Sequence, residues 1–334
     1  MSHSSDISPK VSVLQKRHRI MKALREFFES RDFLELNTPL LVVNPGLEPH
    51  LIPFETRFEP EMGGGQARTL YLPTSPEYHL KKALAMGIPR LFEITRSFRN
   101  GEISREHEPE FFMLEWYRHP GSYLDIAQDF REMMTDLGQR FAPAEPWNQA
   151  KDITVNEAFR RYCNLDLEGA LSGAAASLTE QACAAGFASV AADDDFETTF
   201  HKLLVEKIEP QLGFNGPLFF WDYPASMCAL ARVKPEAPLF CERFEVYWKG
   251  IELANAFGEL TDPVEQRKRC LEDQAARRHK YGKTPPLDEE FLKALGELKH
   301  SAGGIAVGLD RLIQCLLELP NVQQAIAFSH ADSL

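Results

Sequence analysis

The sequence lacks the features that mark secreted, membrane-spanning and disulfide-rich proteins. Its six cysteines include no C-x-x-C pair, so they favour reduced thiols over a zinc site or a disulfide framework. No stretch approaches about eighteen uninterrupted apolar residues, and the opening MSHSSDISPK contains no apolar segment of the secretory kind. We therefore expect a cytoplasmic protein without a membrane partner.

An excess of positive charge and the common nucleotide-binding loops are also lacking. The 334 residues carry a formal net charge of -12, whereas a broad nucleic-acid surface requires clustered lysine and arginine. A long phosphate backbone is therefore not an expected partner. The chain contains neither G-x-x-x-x-G-K-S/T nor G-x-G-x-x-G, so the pattern disfavours a P-loop and a dinucleotide-binding fold.

Residues 92–117 form the most informative segment. Apolar residues alternate along 92–98 and 110–117, with a charged connection between them, which predicts an antiparallel hairpin. Such a hairpin brings Arg99, Glu115 and an aromatic ring close together on a sheet. Arginine suits a phosphate, a ring suits a base and a carboxylate suits an amine. An ordinary amphipathic hairpin with surface arginines gives the same pattern, and these residues alone leave it open.

Residues 70–84 predict a strand that leads into a helix. The strand ends at Thr74 and Ser75, and Pro76 suits the first position of the helix. Glu77 then lies in the first helical turn, where the helix dipole stabilises a carboxylate. The same carboxylate beside Ser75 could receive a substrate ammonium, so both roles stay open at this point.

Residues 243–260 predict a second hairpin, in which Glu245 and Glu252 lie on opposite arms. Facing carboxylates repel each other unless a cation lies between them, and Mg²⁺ that bridges nucleotide phosphates is a common solution. A solvated acidic edge is the alternative. An amide, a ring and a carboxylate then follow at period two, on one face of the strand: Asn255, Phe257 and Glu259.

Residues 301–313 predict a glycine-rich strand that runs into a helix. Gly308 permits a close approach of the backbone, and Arg311 falls in the first helical turn, where a cation opposes the helix dipole. A residue placed against local electrostatics favours another role, such as binding an anion. Residues of about 122–213 are mainly helical in pattern, and we interpret them as an insertion that covers one side of the sheet within a single domain of residues 1–334.

Taken together, these segments resemble the signature motifs of class II aminoacyl-tRNA synthetases, and specifically the catalytic core of lysyl-tRNA synthetase. Asn37-Thr38-Pro39 resembles the dimer-forming motif 1, residues 98–111 resemble motif 2, and GIAVGLDR at 304–311 resembles motif 3. The segments TSPE at 74–77 and ELANAFGE at 252–259 match the lysine pocket in order and spacing. The resemblance implies an α+β fold with an antiparallel sheet flanked by helices, and a homodimer.

Only 36 residues precede Asn37, so we expect no anticodon-binding domain and, given the acidic charge, no tRNA partner. The chain is therefore similar to a family of short paralogues, the elongation factor P lysine ligases. Members share M-L-E-W-Y, here at 113–117, and E-R-F-E-V-Y, here at 242–247. The resemblance implies that (R)-β-lysine is activated with ATP and attached to a lysine side chain of elongation factor P.

The same resemblance implies a role for each residue of the site. Arg99 and Arg311 would act in catalysis by holding the α-phosphate and the γ-phosphate, while Phe111 would stack on adenine. The residues implied for ATP are Arg99, Asn100, Gly101, His107, Glu108, Phe111, Glu252, Leu253, Gly308 and Arg311. Those implied for the amino-acid substrate are Ser75, Pro76, Glu77, Glu115, Tyr117, Asn255, Phe257, Glu259 and Ala306. Glu245 and Glu252 would ligate Mg²⁺.

Two departures from the pattern affect these expectations. Gly101 replaces the glutamate of the usual F-R-N-E, and Glu102 is a possible substitute. Ala256 and Ala306 stand where lysyl-tRNA synthetases have glycine, and added methyl groups reshape a pocket toward a lysine isomer with a shifted amine. A truncated lysyl-tRNA synthetase and a non-catalytic regulator remain as alternatives. No residue stands out as the base for attack by the acceptor amine.

Overall fold

The computed structural model describes residues 8–61 and 65–330. The polar residues that precede Ser8 lie outside the described residues. The strands are β1 (Leu34–Glu35), β2 (Glu55–Phe58), β3 (Arg68–Tyr71), β4 (Arg90–Phe98), β5 (Glu110–Arg118), β6 (Lys151–Thr154), β7 (Leu218–Trp221), β8 (Arg243–Trp248), β9 (Ile251–Gly258) and β10 (Gly303–Gly308). The α-helices are α1 (Pro9–Glu29), α2 (Glu77–Ala85), α3 (Tyr123–Phe141), α4 (Val155–Ala158), α5 (Leu167–Ser172), α6 (Leu178–Ala184), α7 (Phe196–Leu203), α8 (Pro263–Tyr281), α9 (Glu289–Glu297) and α10 (Leu309–Leu316).

The main sheet has eight strands in the order β1-β4-β5-β10-β9-β8-β7-β6. Its six central strands are antiparallel to their neighbours, which confirms the predicted α+β fold. At the two edges of the sheet, β1 runs parallel to β4 and β6 runs parallel to β7, so the sheet is mixed rather than wholly antiparallel. Strands β2 and β3 form a separate antiparallel pair.

Both predicted hairpins are present. Strands β4 and β5 pair from Arg90 with Arg118 to Phe98 with Glu110. Strands β8 and β9 are joined by Lys249 and Gly250, with φ of 49° and 78°. Positive φ at both central residues is typical of the two-residue turns whose twist matches that of paired strands. These connections fix the register on which the site depends.

One face of the sheet packs against α1, α3 and α10 to form the main core. Phe28 of α1 lies between two strand residues, with ring centroids 4.8 Å from Phe92 and 5.0 Å from Trp116. The other face is covered only at its ends. Helices α2 and α9 pack near Tyr117, and the helical segment that follows β6 packs on Tyr247. Between them, over β10 and β9, Ala306 and Asn255 of this second face stay partly exposed.

The segment of about 122–213 divides between these layers. Helix α3 belongs to the main core, β6 extends the sheet, and helices α4 to α7 build the second core. Its description as an insertion within one domain stays a prediction. Among the described residues, no helix is long and apolar enough to cross a membrane.

Candidate active site

The register of the central strands places the predicted site residues in two rows across the open face. Glu115 pairs with Ala306, which pairs with Asn255, which in turn pairs with Glu245. Residues that face one another on neighbouring strands project to the same side. The side chains of these four paired residues, one from each of four neighbouring strands, therefore lie on one face of the sheet.

The second row is Tyr117, Gly304 and Phe257. A Cβ added at Gly304 would lie 2.2 Å from the Tyr117 ring and 2.3 Å from Glu259 Oε1, which is too close for any side chain. This glycine therefore lets the tyrosine and the carboxylate approach each other over the strand. Its use here is close packing, because its φ does not lie in the left-handed region.

Glu115, on β5, is the fully buried residue of the first row. Ser75 Oγ donates to Glu115 Oε1 at 2.7 Å, and Tyr117 Oη donates to Oε2 at 2.8 Å. Burial and the nearby charge of Glu77 raise the pKa of Glu115 to about 8. A carboxyl group in this state gains most from a ligand that brings a positive charge. Ser75 also accepts from the Glu77 amide at 3.0 Å, just after Pro76.

Lys81 lies between Glu77 and Glu259, the two other acids predicted for the substrate. It was not predicted from the sequence. Its Nζ forms ion pairs with Glu77 Oε1 and, at 2.5 Å, with Glu259 Oε2, while only 1% of its side chain is exposed. Burial raises the pKa of Glu259 to about 7, and the charge of Lys81 is the main effect that opposes this rise. The signal was available, because positions 77 and 81 share a helix face at i, i+4.

One carboxylate oxygen of this cluster lacks a hydrogen-bond donor. Glu259 Oε1 is buried and has no hydrogen-bond partner among the described residues. A buried acceptor without a partner is costly, so it indicates a place for a donor that the free protein does not supply. The positive charge and the donors of an ammonium group suit this position.

The phosphate side of the site begins at the end of β4. Arg99 lies over the Phe111 ring, with 5.1 Å from its guanidinium carbon to the ring centroid. Its Nε is buried without a partner in the described chain, so this donor is available to an anion. Gly101 follows in the left-handed region at φ 88°, and Glu102 lies 3.7 Å from Arg99. Glu102 therefore places a carboxylate beside Arg99, and whether it replaces the missing motif 2 glutamate stays a prediction. The Asn100 amide donates to Ile52 O.

Arg311 projects from the first turn of α10, directly after Gly308. It donates to Glu252 O at 2.9 Å and to Glu106 O at 3.1 Å, and its Nη2 contacts His107 Nε2 at 2.5 Å. Burial and the Arg311 charge lower the pKa of His107. A neutral His107 accepts from Arg311 and donates from Nδ1 to Ser104 Oγ at 2.8 Å. These contacts hold the cation toward the open face.

Two residues implied for ATP are used elsewhere in the free protein. Glu108 is buried and accepts from Gln323 Nε2, Ser329 Oγ and the His330 amide at 2.7 to 2.9 Å, which ties motif 2 to the C-terminal segment. The side chain of Leu253 packs in the main core, so only its backbone is near the site.

The expectation that Ala256 reshapes the pocket is wrong. Ala256 is fully buried in the main core, because it alternates with Asn255 and Phe257 and so points to the opposite face of β9. Ala306 lies in the row between Glu115 and Asn255, where an added methyl group does line the site.

A β-bulge brings Glu252 to the metal side of the site. The pairing shifts between Val246 and Tyr247, and Leu253 is the extra residue on β9. Strict alternation would place Glu252 with the core residues Ala254 and Ala256. The bulge instead aligns it with Tyr247, on the face that also carries Glu245.

The two carboxylates of the predicted metal site suit Mg²⁺ in their chemistry. Burial and the charge of Glu245 raise the pKa of Glu252, a repulsion that a divalent cation would relieve. Glu245 accepts from Tyr223 Oη, from Tyr247 Oη at 2.8 Å and from Arg243 Nη2 at 2.7 Å. Within the described residues no group of three or more acidic, histidine or cysteine side chains could hold a metal alone. Whether the pair holds Mg²⁺ stays a prediction.

Arg243 is a second residue that the sequence reasoning missed. It donates to Glu245 and also to Asn255 Oδ1 at 3.2 Å and to Met227 O at 2.8 Å. It therefore orients one residue implied for the metal and one implied for the substrate. The face as a whole combines a buried acidic end, a cationic end and an aromatic ring, which suits the joining of an amino acid to a nucleotide.

A family comparison covers almost the whole chain. Residues 8–332 match the family described as tRNA synthetases class II (D, K and N). The chain belongs to this class II synthetase family.

Within that class, curated relatives carry a more specific name. Proteins called elongation factor P--(R)-beta-lysine ligase from Salmonella paratyphi B, Salmonella schwarzengrund and Salmonella choleraesuis are each 38% identical to it over 332 residues. The match covers 98% of this chain and 99% of each relative.

Proposed function

We propose that the protein is an ATP-dependent ligase that activates (R)-β-lysine as an acyl-adenylate and transfers it to a lysine side chain of elongation factor P. The observation that carries this proposal is the covered acidic end formed by Glu77, Glu115 and Glu259, together with the two cations Arg99 and Arg311, whose charges both act on Glu252 of β9. The names of the curated relatives support the choice of substrate and acceptor.

In the first step, the carboxylate of the bound amino acid attacks the α-phosphorus of ATP, and the bond to pyrophosphate breaks. Binding both reactants in line supplies much of the rate, because the attacking group is itself the nucleophile. Arg99 holds the α-phosphate and Arg311 the γ-phosphate, so their charges offset the negative charge that develops on the leaving group. Phe111 stacks on adenine.

Glu245 and Glu252 would hold Mg²⁺, which supplies further neutralisation of the nucleotide phosphates. Arg243 keeps Glu245 oriented toward this position. In the second step, the free amine of the acceptor lysine attacks the acyl carbon, AMP leaves, and the amine loses a proton as the amide forms.

The acidic end formed by Glu77, Glu115 and Glu259, here called the amine end, selects a substrate with two ammonium groups. Ser75 and Tyr117 orient Glu115, while Asn255 and Phe257 border the row that contains Ala306. The methyl group of Ala306 narrows the row beside Glu115, which supports an isomer whose amine is displaced by one carbon.

We further propose a cytoplasmic homodimer. Four apolar side chains near the motif 1 segment are exposed, and they would be covered by a second copy. They are Leu34, Leu40, Leu41 and Val43. The free cysteines agree with a reducing compartment. Sedimentation analysis tests the dimer, and a monomer at micromolar concentration would contradict it.

The deciding experiment mixes the purified protein with ATP, Mg²⁺, (R)-β-lysine and elongation factor P. We expect the intact mass of elongation factor P to rise by one lysyl unit, with release of AMP and pyrophosphate. A parallel reaction with total tRNA tests the synthetase alternative, in which lysyl-tRNA would form instead. Absence of lysine-dependent pyrophosphate exchange in a folded, ATP-binding preparation would favour the non-catalytic alternative.

A further inference from the structure

Lys81 stands out among the charged residues because it is buried in the middle of the acidic end. Its Nζ contacts Glu77 on its own helix and Glu259 just after β9, and its side chain is 1% exposed. The two partners are also covered, with 13% and 1% of their side chains exposed. A lysine is rarely buried this completely unless it is paired, so its charge is kept here by these two acids.

Burial alone would lower the pKa of Lys81, but the charges of Glu259 and Glu77 raise it above its ordinary value. The ammonium is therefore a permanent part of the pocket at neutral pH. Glu77, Glu115 and Glu259 border the substrate row. Glu48 lies close enough to Glu77 and Lys81 for their charges to act on it, and burial raises its pKa, which favours its neutral form. With Glu48 neutral and the other three acids ionised, the single cation Lys81 leaves two negative charges.

The substrate of the proposed function carries two ammonium groups, and the pocket with Lys81 present is their electrostatic complement. Without Lys81, a third negative charge would be buried with no partner, and one acid would take up a proton instead. A diammonium ligand would then have to displace that proton in addition to the one that Glu115 already holds below about pH 8.

We propose that Lys81 is a positioning residue that sets the charge of the substrate pocket, so that the pocket fits an amino acid with two ammonium groups. It acts through Glu77 and Glu259 and touches neither the reacting carboxylate nor ATP. This inference rests on the proposed function, because the charge balance matters only if a diamino acid is the substrate.

The test compares Lys81→Met with the wild type in pyrophosphate exchange at pH 7 and pH 9. We expect the KM for (R)-β-lysine to rise by about tenfold or more at pH 7, and to recover at pH 9 as the added proton is lost. The KM for ATP and the kcat should stay within about twofold, because Lys81 does not contact the nucleotide. An unchanged KM, or one raised equally at both pH values, would overturn the proposal.

A second measurement needs no substrate. Capillary electrophoresis at pH 8 gives the net charge of each folded variant, with Lys22→Met as control because Lys22 is 71% exposed beside Glu26. We expect Lys22→Met to lose a full positive charge. Lys81→Met should lose clearly less, because Glu259 takes up a proton when its counter-charge is gone. A full loss in both variants would contradict the inference.

These two measurements separate the inference from the proposed function. If the wild type shows no exchange with any diamino acid, the proposed function fails, and the charge measurement alone decides whether Lys81 keeps the acids ionised. Lys81→Gln replaces Lys81→Met if the latter does not fold, since its amide can bond to protonated carboxyl groups. Circular dichroism establishes folding before either measurement.

Discussion

The two ends of the active site are built in different ways. At the amine end every charged group has a partner within the protein, and the side chains of Lys81 and Glu259 are each 1% exposed. At the phosphate end the side chains of Arg99, Arg311 and Glu252 are 24%, 19% and 39% exposed. Arg311 is held there by two carbonyl oxygens, by His107 and, at 3.4 Å, by the Glu252 carboxylate, and these are long or neutral contacts that phosphate oxygens can replace.

This difference indicates a division of tasks. If the proposed function holds, the amine end is preorganised, and we expect it to select the substrate by charge and to reorganise little on binding. The phosphate end keeps its cations nearer the surface, where we expect them to exchange weak contacts for stronger charge-assisted bonds to ATP. Substitutions at the two ends should therefore affect different kinetic constants, and the following predictions test that separation.

The largest effect is expected from Arg99→Ala. The change removes the cation that the α-phosphate requires, and loss of such a group lowers kcat by about a hundredfold to a thousandfold. Pyrophosphate exchange at saturating substrate measures this loss. The control is Arg96→Ala, on β4 just before Arg99, whose side chain is 51% exposed and pairs with Glu110. Similar losses in both variants would contradict the assigned role of Arg99.

Glu115→Gln tests the amine end. We expect the KM for the diamino acid to rise by about a hundredfold, because a neutral amide replaces the acid that receives an ammonium, while the KM for ATP changes by less than about twofold. Titration calorimetry with each ligand separates the two effects. Glu110→Gln, on the same strand and 31% exposed, is the matched control. An equal effect on ATP affinity would remove the distinction between the two ends.

The same variant should be more stable than the wild type in alkaline solution. The pKa of Glu115 is raised to about 8 in the folded protein, so the folded state binds this proton more tightly than the unfolded chain does. The stability gained from it is complete below the unfolded pKa and is lost as pH rises toward 8. Glu115→Gln avoids this loss, which we expect to be on the order of 1–3 kcal/mol at pH 9. Urea unfolding at pH 5 and pH 9 measures it, and a constant difference between wild type and variant would contradict the raised pKa.

We expect a smaller effect when the pH is changed and the substrate KM of the wild type is measured. Glu259 and Glu115 lose their protons near pH 7 and pH 8, and each ionisation adds a negative charge that attracts the substrate. The KM for (R)-β-lysine should therefore fall by about tenfold between pH 6 and pH 8.5. The KM for ATP over the same range is the internal control. A substrate KM that is flat, or that rises with pH, would contradict this account of the amine end.

Much of this site could be predicted from the sequence, because motif spacing and strand alternation determine which of its residues lie on the same face. Glu115, Asn255 and Ala306 fall on one face since each lies on a regular strand, and the register confirms that they are neighbours. The position of Glu252 could not be derived in this way, because a bulge at Leu253 reverses the alternation.

Other features depend on contacts between distant parts of the chain. Glu108 bonds to residues more than 200 positions away, and Arg243 bonds to Met227 in a loop that no pattern indicates. Lys81 is an intermediate case. Its spacing from Glu77 was visible, but its second partner, Glu259, is brought to it only by the packing of α2 against the sheet.

The smallest effect is expected from Gly101→Glu, which restores the motif 2 carboxylate. Gly101 has φ of 88° and open space around a would-be Cβ, so the substitution meets no clash but strains the backbone by about 1 kcal/mol. Because Glu102 already lies 3.7 Å from Arg99, we expect the KM for ATP to change by less than about threefold. Gly87→Glu, at φ 95° and equally open, is the control for strain alone. If both variants lose stability equally while Gly101→Glu improves the KM for ATP tenfold or more, the phosphate end lacks a group that Glu102 does not replace.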